Sequence, residues 1–75
     1  MVTVKVIYKG SGKEADGKKV ALYVDRFMAS GVTGSEWTDS RGEAHFDVEP
    51  CNGEVYVSGA TKYKGHLSGR IVVYI

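Results

Sequence analysis

Through most of its length the chain alternates apolar and polar residues with a period of two, the signature of strands that bury one face and wet the other. From Thr3 to Tyr8 the series Val2, Val4, Val6, Tyr8 opposes Thr3, Lys5, Ile7, Lys9. From Lys19 to Asp25, Val20, Leu22 and Val24 oppose Ala21, Tyr23 and Asp25. Glu36 to Asp39 reads as a third strand and Glu43 to Val48 as a fourth, where Ala44, Phe46 and Val48 alternate with Glu43, His45 and Asp47. Between these two, Asp39 and Ser40 can bond their own backbone and Gly42 tolerates positive φ, so Trp37 to Val48 predicts a hairpin around which the rest is organised. Val55 and Val57 mark a fifth strand over Glu54 to Ser58, Ala60 to Tyr63 form a short sixth, and Ile71, Val73 and Ile75 mark a seventh over Arg70 to Ile75.

The intervening segments carry turn chemistry. Gly10 to Gly17 is so rich in Gly and polar residues that it predicts a surface connection burying nothing. Pro50 has no N–H for a ladder and ends the fourth strand, leaving Cys51-Asn52-Gly53 as a turn, with Gly65 to Gly69 as another. Phe27 to Gly34 follows neither period and reads as an extended loop or an irregular lead-in to the next strand. Seven short strands with frequent turns predict two facing sheets, because each strand contributes only two or three inward side chains that a second layer must cover.

Composition narrows the class. Seventy-five residues make a single domain, 1–75, and ten Gly with one Pro, five Tyr and many Val favour strands and tight turns over helices. A formal net charge of +1, with the two signs interspersed, offers no footprint for nucleic acid or anionic lipid. The single Cys51 excludes an internal disulfide, so packing alone must hold the fold. No apolar run approaches the roughly 20 residues of a helical membrane span, and the N-terminus lacks the pattern of an export signal. Neither observation assigns a compartment.

Three stretches, taken in order, resemble one family. Gly12-Lys13-Glu14-Ala15-Asp16-Gly17-Lys18-Lys19-Val20-Ala21-Leu22 resembles the "G-x-P-x-x-G-A-x-V-x-L" lead into the second strand of carboxypeptidase-regulatory-like domains, the prealbumin-like (transthyretin-like) β-sandwiches. Thr38 to Phe46 resembles their "T-D-x-x-G-x-x-x-F" hairpin, and Val48 to Val57 their "V-x-P-G-x-Y-x-V". Glu14 replaces the usual Pro, and Cys51-Asn52 stands near the usual Gly. The resemblance implies a seven-stranded antiparallel Greek-key β-sandwich that serves as a non-enzymatic structural or interaction module, and leaves an extracytoplasmic location open.

The residues themselves present no catalytic constellation and call for no cofactor. His45 on a strand and His66 in a turn have no second His or Cys at ligand spacing, so neither marks a metal site and both read as ordinary exposed imidazoles. Cys51 has no adjacent cation to activate it, and Gly31 to Gly34 lacks the Lys-Ser/Thr pair of a phosphate loop. Attention falls on the outward series: with Val20, Leu22, Val24, Val55, Val57, Ile71, Val73 and Ile75 inward, Tyr23, Tyr56, Val72 and Tyr74 point out together with Ile7, while parity leaves Trp37 free to fill the core or to join them. Such residues suit any strand surface and stabilise cross-strand pairs. Together they also suit self-association into a dimer through the last strand or an aromatic face, contact with another protein, or stacking against a carbohydrate.

Overall fold

The computed structural model describes residues 1–25 and 30–75, and these form two β-sheets with no helix among the described residues. Phe27 to Ala29 of the irregular stretch lie outside the described residues. The strands are β1 (Val2–Ile7), β2 (Lys19–Asp25), β3 (Gly31–Val32), β4 (Glu36–Trp37), β5 (Glu43–Phe46), β6 (Cys51–Val57), β7 (Ala60–Leu67) and β8 (Gly69–Tyr74). The smaller sheet has the order β5-β1-β8, and the larger β3-β2-β6-β7, with β4 also on β2. The expected inward series meet between the sheets: Val2, Val4, Val6, Val20, Leu22 and Val55 are fully buried, with Ala44, Phe46, Val57, Ile71 and Val73 nearly so. Most are valines, whose branched Cβ suits a pleated surface at small volume.

The strand inventory departs from expectation in two respects. Among the described residues there are eight strands instead of seven, since Gly31-Val32 adds a short one; and the pairing is not wholly antiparallel, because β8 runs parallel to β1 from Val2↔Gly69 to Ile7↔Tyr74. The chain's last strand leaves the larger sheet after a single residue, Ser68, and falls in beside the first. Period two reveals which face is buried but carries no information on strand direction.

The predicted hairpin proves to be a corner. Its turn is tight, with Asp39 N–H donating to Glu43 O at 3.0 Å and Gly42 N–H to Asp39 O at 2.9 Å. Asp39 Oδ1 also accepts from the N–H groups of Arg41 and Glu43 at 2.9 and 3.0 Å. Gly42 sits at φ 73°, and a Cβ there would lie 2.6 Å from Val6 O. The two arms then part: β4 pairs with β2 and β5 with β1, in different sheets. Thr38 explains the divergence. It is 4% exposed, the one buried polar residue among those described. Its hydroxyl donates to Ala15 O at 2.6 Å and accepts from Lys18 N–H at 2.8 Å. Its backbone closes two further bonds, Thr38 N–H to Lys18 O at 2.9 Å and Gly17 N–H to Thr38 O at 3.0 Å.

That stitching corrects the reading of the Gly10 to Gly17 connection as burying nothing. Ala15 is fully buried and donates its N–H to Val6 O at 2.9 Å, so the loop folds inward and adds a residue to the core. The Cys51-Asn52-Gly53 turn is corrected too. β6 already begins at Cys51, and Gly53 lies within it where a Cβ would run into the Tyr23 carbonyl oxygen; glycine there permits close strand approach, not reversal. β7 likewise runs through the expected turn to Leu67, which is fully buried. The β6–β7 hairpin closes over Ser58-Gly59 with φ 51° and 84°, the paired positive values of a two-residue loop.

Two expected outcomes follow. Thr38→Val keeps the shape but orphans a buried carbonyl and a part-buried N–H, and should cost about 2–4 kcal/mol in urea unfolding, whereas Thr38→Ser should cost about 1 kcal/mol. Equal losses would show that the hydroxyl is not what matters. The backbone bonds from Glu43 and then Arg41, opposed by desolvation and aided to a smaller extent by the nearby His45 and Arg41 charges, hold the Asp39 carboxyl below the ordinary aspartate range. A depressed folded value means that this stabilisation is complete above the unfolded value near pH ~4 and disappears as pH falls through the folded one. Asp39→Asn should therefore flatten the decline of stability below pH ~4, measured as midpoint against pH.

Candidate functional site

With the core assigned, the outer faces hold the remaining chemistry. On the smaller sheet, β1 turns out Thr3, Lys5 and Ile7, β5 turns out Glu43 and His45, and β8 turns out Arg70, Val72 and Tyr74. The rows run His45–Thr3–Arg70, then Glu43–Lys5–Val72, then Ile7–Tyr74. The polar side is internally paired: Lys5 Nζ is 2.7 Å from Glu14 Oε2, and Arg70 Nη1 is 3.5 Å from Glu43 Oε2. The other side is apolar and wet, with Val72 41% and Tyr74 58% exposed.

The backbone of β8 has its own direction. Ile75 donates its N–H to Ile7 O at 2.9 Å and accepts from Lys9 N–H at 2.8 Å, so it addresses β1 with both groups. Since alternate residues of a strand address opposite sides, Ile71 and Val73 also bond β1, while the N–H and C=O of Arg70, Val72 and Tyr74 point to the outer edge. The same three residues therefore present outward side chains and unshared edge groups.

The remaining edges differ. β7 carries Lys62 and Lys64, charges that discourage a further strand. β3 and β4 share one side of β2, but the register slips by a residue between them, and the Thr33 hydroxyl accepts from Leu22 N–H at 3.0 Å where a ladder carbonyl would stand. β5 is four residues long. Of these edges, β8 alone is long, regular and without lysine or proline.

The larger sheet turns out the other candidates. Tyr23 and Tyr56 lie half-buried on neighbouring strands, in rows Val32–Tyr23–Glu54–Lys64 and Ala21–Tyr56–Thr61. Partial desolvation, then the Glu54 carboxylate and Tyr23, push the Tyr56 phenol above its ordinary pKa and keep it neutral. A shallow groove of about 280 Å³ runs beside it, lined by Lys19, Ala21, Ser35, Tyr56 and Gly59. Trp37, undecided by parity, is 65% exposed and pairs with Lys19, one of the groove's walls. The five candidate residues thus split into two sets on opposite faces: Val72 and Tyr74 on the smaller sheet, Tyr23, Tyr56 and Trp37 on the larger.

Two groups differ from the sequence reading, which set Tyr8 on the face of Val2, Val4 and Val6 and took His45 for an ordinary exposed imidazole. Tyr8 is 38% exposed, and the Lys18 ammonium lies 5.5 Å from its ring centroid, a cation–π contact formed by the inward fold of the loop. Asp39, Glu43 and His45 come together at the corner. The Glu43-x-His45 spacing on one strand face, with Asp39 just across the turn, carried that signal in the sequence. His66, expected in a turn, lies in β7 with Nδ1 3.1 Å from Asn52 Oδ1.

Compared with known proteins, the chain matches no family model, no curated protein and no solved structure. Trp37 is the single tryptophan. Its emission should be red-shifted and readily quenched by acrylamide, as its exposure demands; shielded, blue-shifted emission would place another surface over the larger sheet.

Proposed function

We propose that this chain is a non-enzymatic structural or protein-interaction module, a prealbumin-like Greek-key β-sandwich whose partner is a second copy joined through β8. The resemblance in the stretches around Gly12, Thr38 and Val48 supports the architectural part of this reading. So do the repeated passages of the chain between sheets, from β1 to β2, β4 to β5, β5 to β6 and β7 to β8.

The observation that carries the functional part is the β8 edge. A two-fold axis through Val72 would set that residue opposite its copy, each exchanging its edge N–H and C=O with the other, and extend two three-stranded sheets into one of six. The same axis sets Arg70 opposite Tyr74 of the partner, a cation against an aromatic face. The edge is self-complementary in both backbone and side chain. A second reading, carbohydrate stacking on Tyr23, Tyr56 and Trp37, draws support from the exposed indole beside the groove.

Size-exclusion chromatography with light scattering at several concentrations separates the two. The self-association reading expects a concentration-dependent dimer, converted to monomer by Val72→Lys or Tyr74→Lys. Val72→Pro should do the same without unfolding, because the N–H it removes points away from β1. A monomer at every concentration would overturn this reading; in that case a Trp37 emission change on polysaccharide titration would favour the second.

A further inference from the structure

We infer that Asp39, Glu43 and His45 form a binding site for a first-row divalent cation such as Zn²⁺. Each of the three side chains has one donor atom engaged and the other turned toward a shared space. Asp39 Oδ1 holds the backbone N–H groups of Arg41 and Glu43. Glu43 Oε2 faces Arg70 at 3.5 Å. His45 Nδ1 lies 2.9 Å from Thr3 Oγ1, its register partner on β1. The unengaged atoms converge: His45 Nε2 is 4.0 Å from Asp39 Oδ2 and 3.9 Å from Glu43 Oε1, and one donor atom from each residue lies within 4.8 Å of the others.

Those separations exceed a hydrogen bond, so imidazole and carboxylates do not satisfy one another directly. Donors around an ion bound at about 2.1 Å stand roughly 3–3.6 Å apart, so the two imidazole–carboxylate separations must shorten by up to about 1 Å and the carboxylate pair, within 4.8 Å, by as much as about 1–2 Å, which rotation of the half-exposed Asp39 and His45 side chains supplies. When His45 Nδ1–H donates to the Thr3 hydroxyl, Nε2 carries the lone pair and faces the two oxygens. This is how a second partner orients a metal-binding imidazole.

The chemistry of the donors selects the ion. Two carboxylate oxygens offset a divalent charge, and the single imidazole nitrogen favours Zn²⁺, Mn²⁺ or their neighbours over Mg²⁺ and Ca²⁺, which prefer oxygen alone. Three protein ligands leave the remaining positions to water. Arg70 is the competitor: its side chain is 58% exposed and pairs with Glu43 only across 3.5 Å, so it can swing into solvent when the cation arrives. The three ligands lie at the β4–β5 corner, so the site does not require pairing through β8.

The test uses Zn²⁺ alone with the full chain carrying Cys51→Ser, which removes the one thiol. Calorimetric titration should show a single saturable site, with His45 ring resonances shifting on addition while those of His66 stay in place. His45→Gln should weaken affinity at least tenfold, and Arg70→Gln should tighten it several-fold; millimolar Mg²⁺ or Ca²⁺ should not compete. Absence of saturable binding, equal affinity in His45→Gln, unchanged affinity in Arg70→Gln, or a shift at His66 would each overturn the assignment.

Discussion

The architecture depends on one hydroxyl. Thr38 Oγ1 lies between Ala15 O and Lys18 N–H, and the Thr38 backbone adds bonds to Gly17 and Lys18. Together they fasten the start of the corner to the loop that precedes β2. The corner lets β4 stay with one sheet while β5 crosses to the other, and so brings the two apolar faces together. A core built mainly of valines gains about 1.5–3 kcal/mol for each side chain fully buried, yet the surplus left to so short a chain is only a few kcal/mol. Two paired polar groups in the interior are comparable with that surplus, which is why a single side chain can govern the arrangement.

The corner also places the surface chemistry. Its tight turn brings Asp39 back beside Glu43 and His45, residues at the start of β5, and Gly42 allows the Val6 carbonyl to approach without a side chain in the way. Because β5 crosses to the smaller sheet, Arg70 on β8 reaches Glu43 across β1. The polar half of that face carries the Lys5–Glu14 and Arg70–Glu43 pairs, and the apolar half, Val72 and Tyr74, is left at the open edge. The larger sheet instead concentrates its aromatics near its broken edge, where the register slip at Thr33 discourages a further strand.

Much was legible from alternation. Of the inward series Val20, Leu22, Val24, Val55, Val57, Ile71, Val73 and Ile75, all are buried except Val24 and Ile75, which lie half-buried against the core, and Tyr23, Tyr56, Val72 and Tyr74 face outward. What misled was turn composition. Asn52-Gly53 looks like a reversal, but Gly53 is extended and serves close packing against Tyr23; Gly65 lies inside β7; the Gly-rich loop hides Ala15. Glycine signals a backbone requirement without saying whether it is a positive φ or a missing side chain. The Asp39, Glu43 and His45 cluster was discounted for a related reason: only a second His or Cys was weighed as a partner for His45, and the turn that joins it to Asp39 has a closure that local pattern implies but a geometry that it does not state.

By itself, the sequence determined the class of element, the buried face of each strand and the absence of a disulfide within these residues, because these follow from a residue's nature and that of its near neighbours. Only the tertiary structure decided that the central turn joins two sheets, that the last strand runs parallel to the first, and that Trp37 lies in water. Those features depend on which backbone groups find partners far along the chain. Thr38 bonding to Ala15 and Lys18, and Ile75 to Ile7 and Lys9, are pairings that no local period encodes.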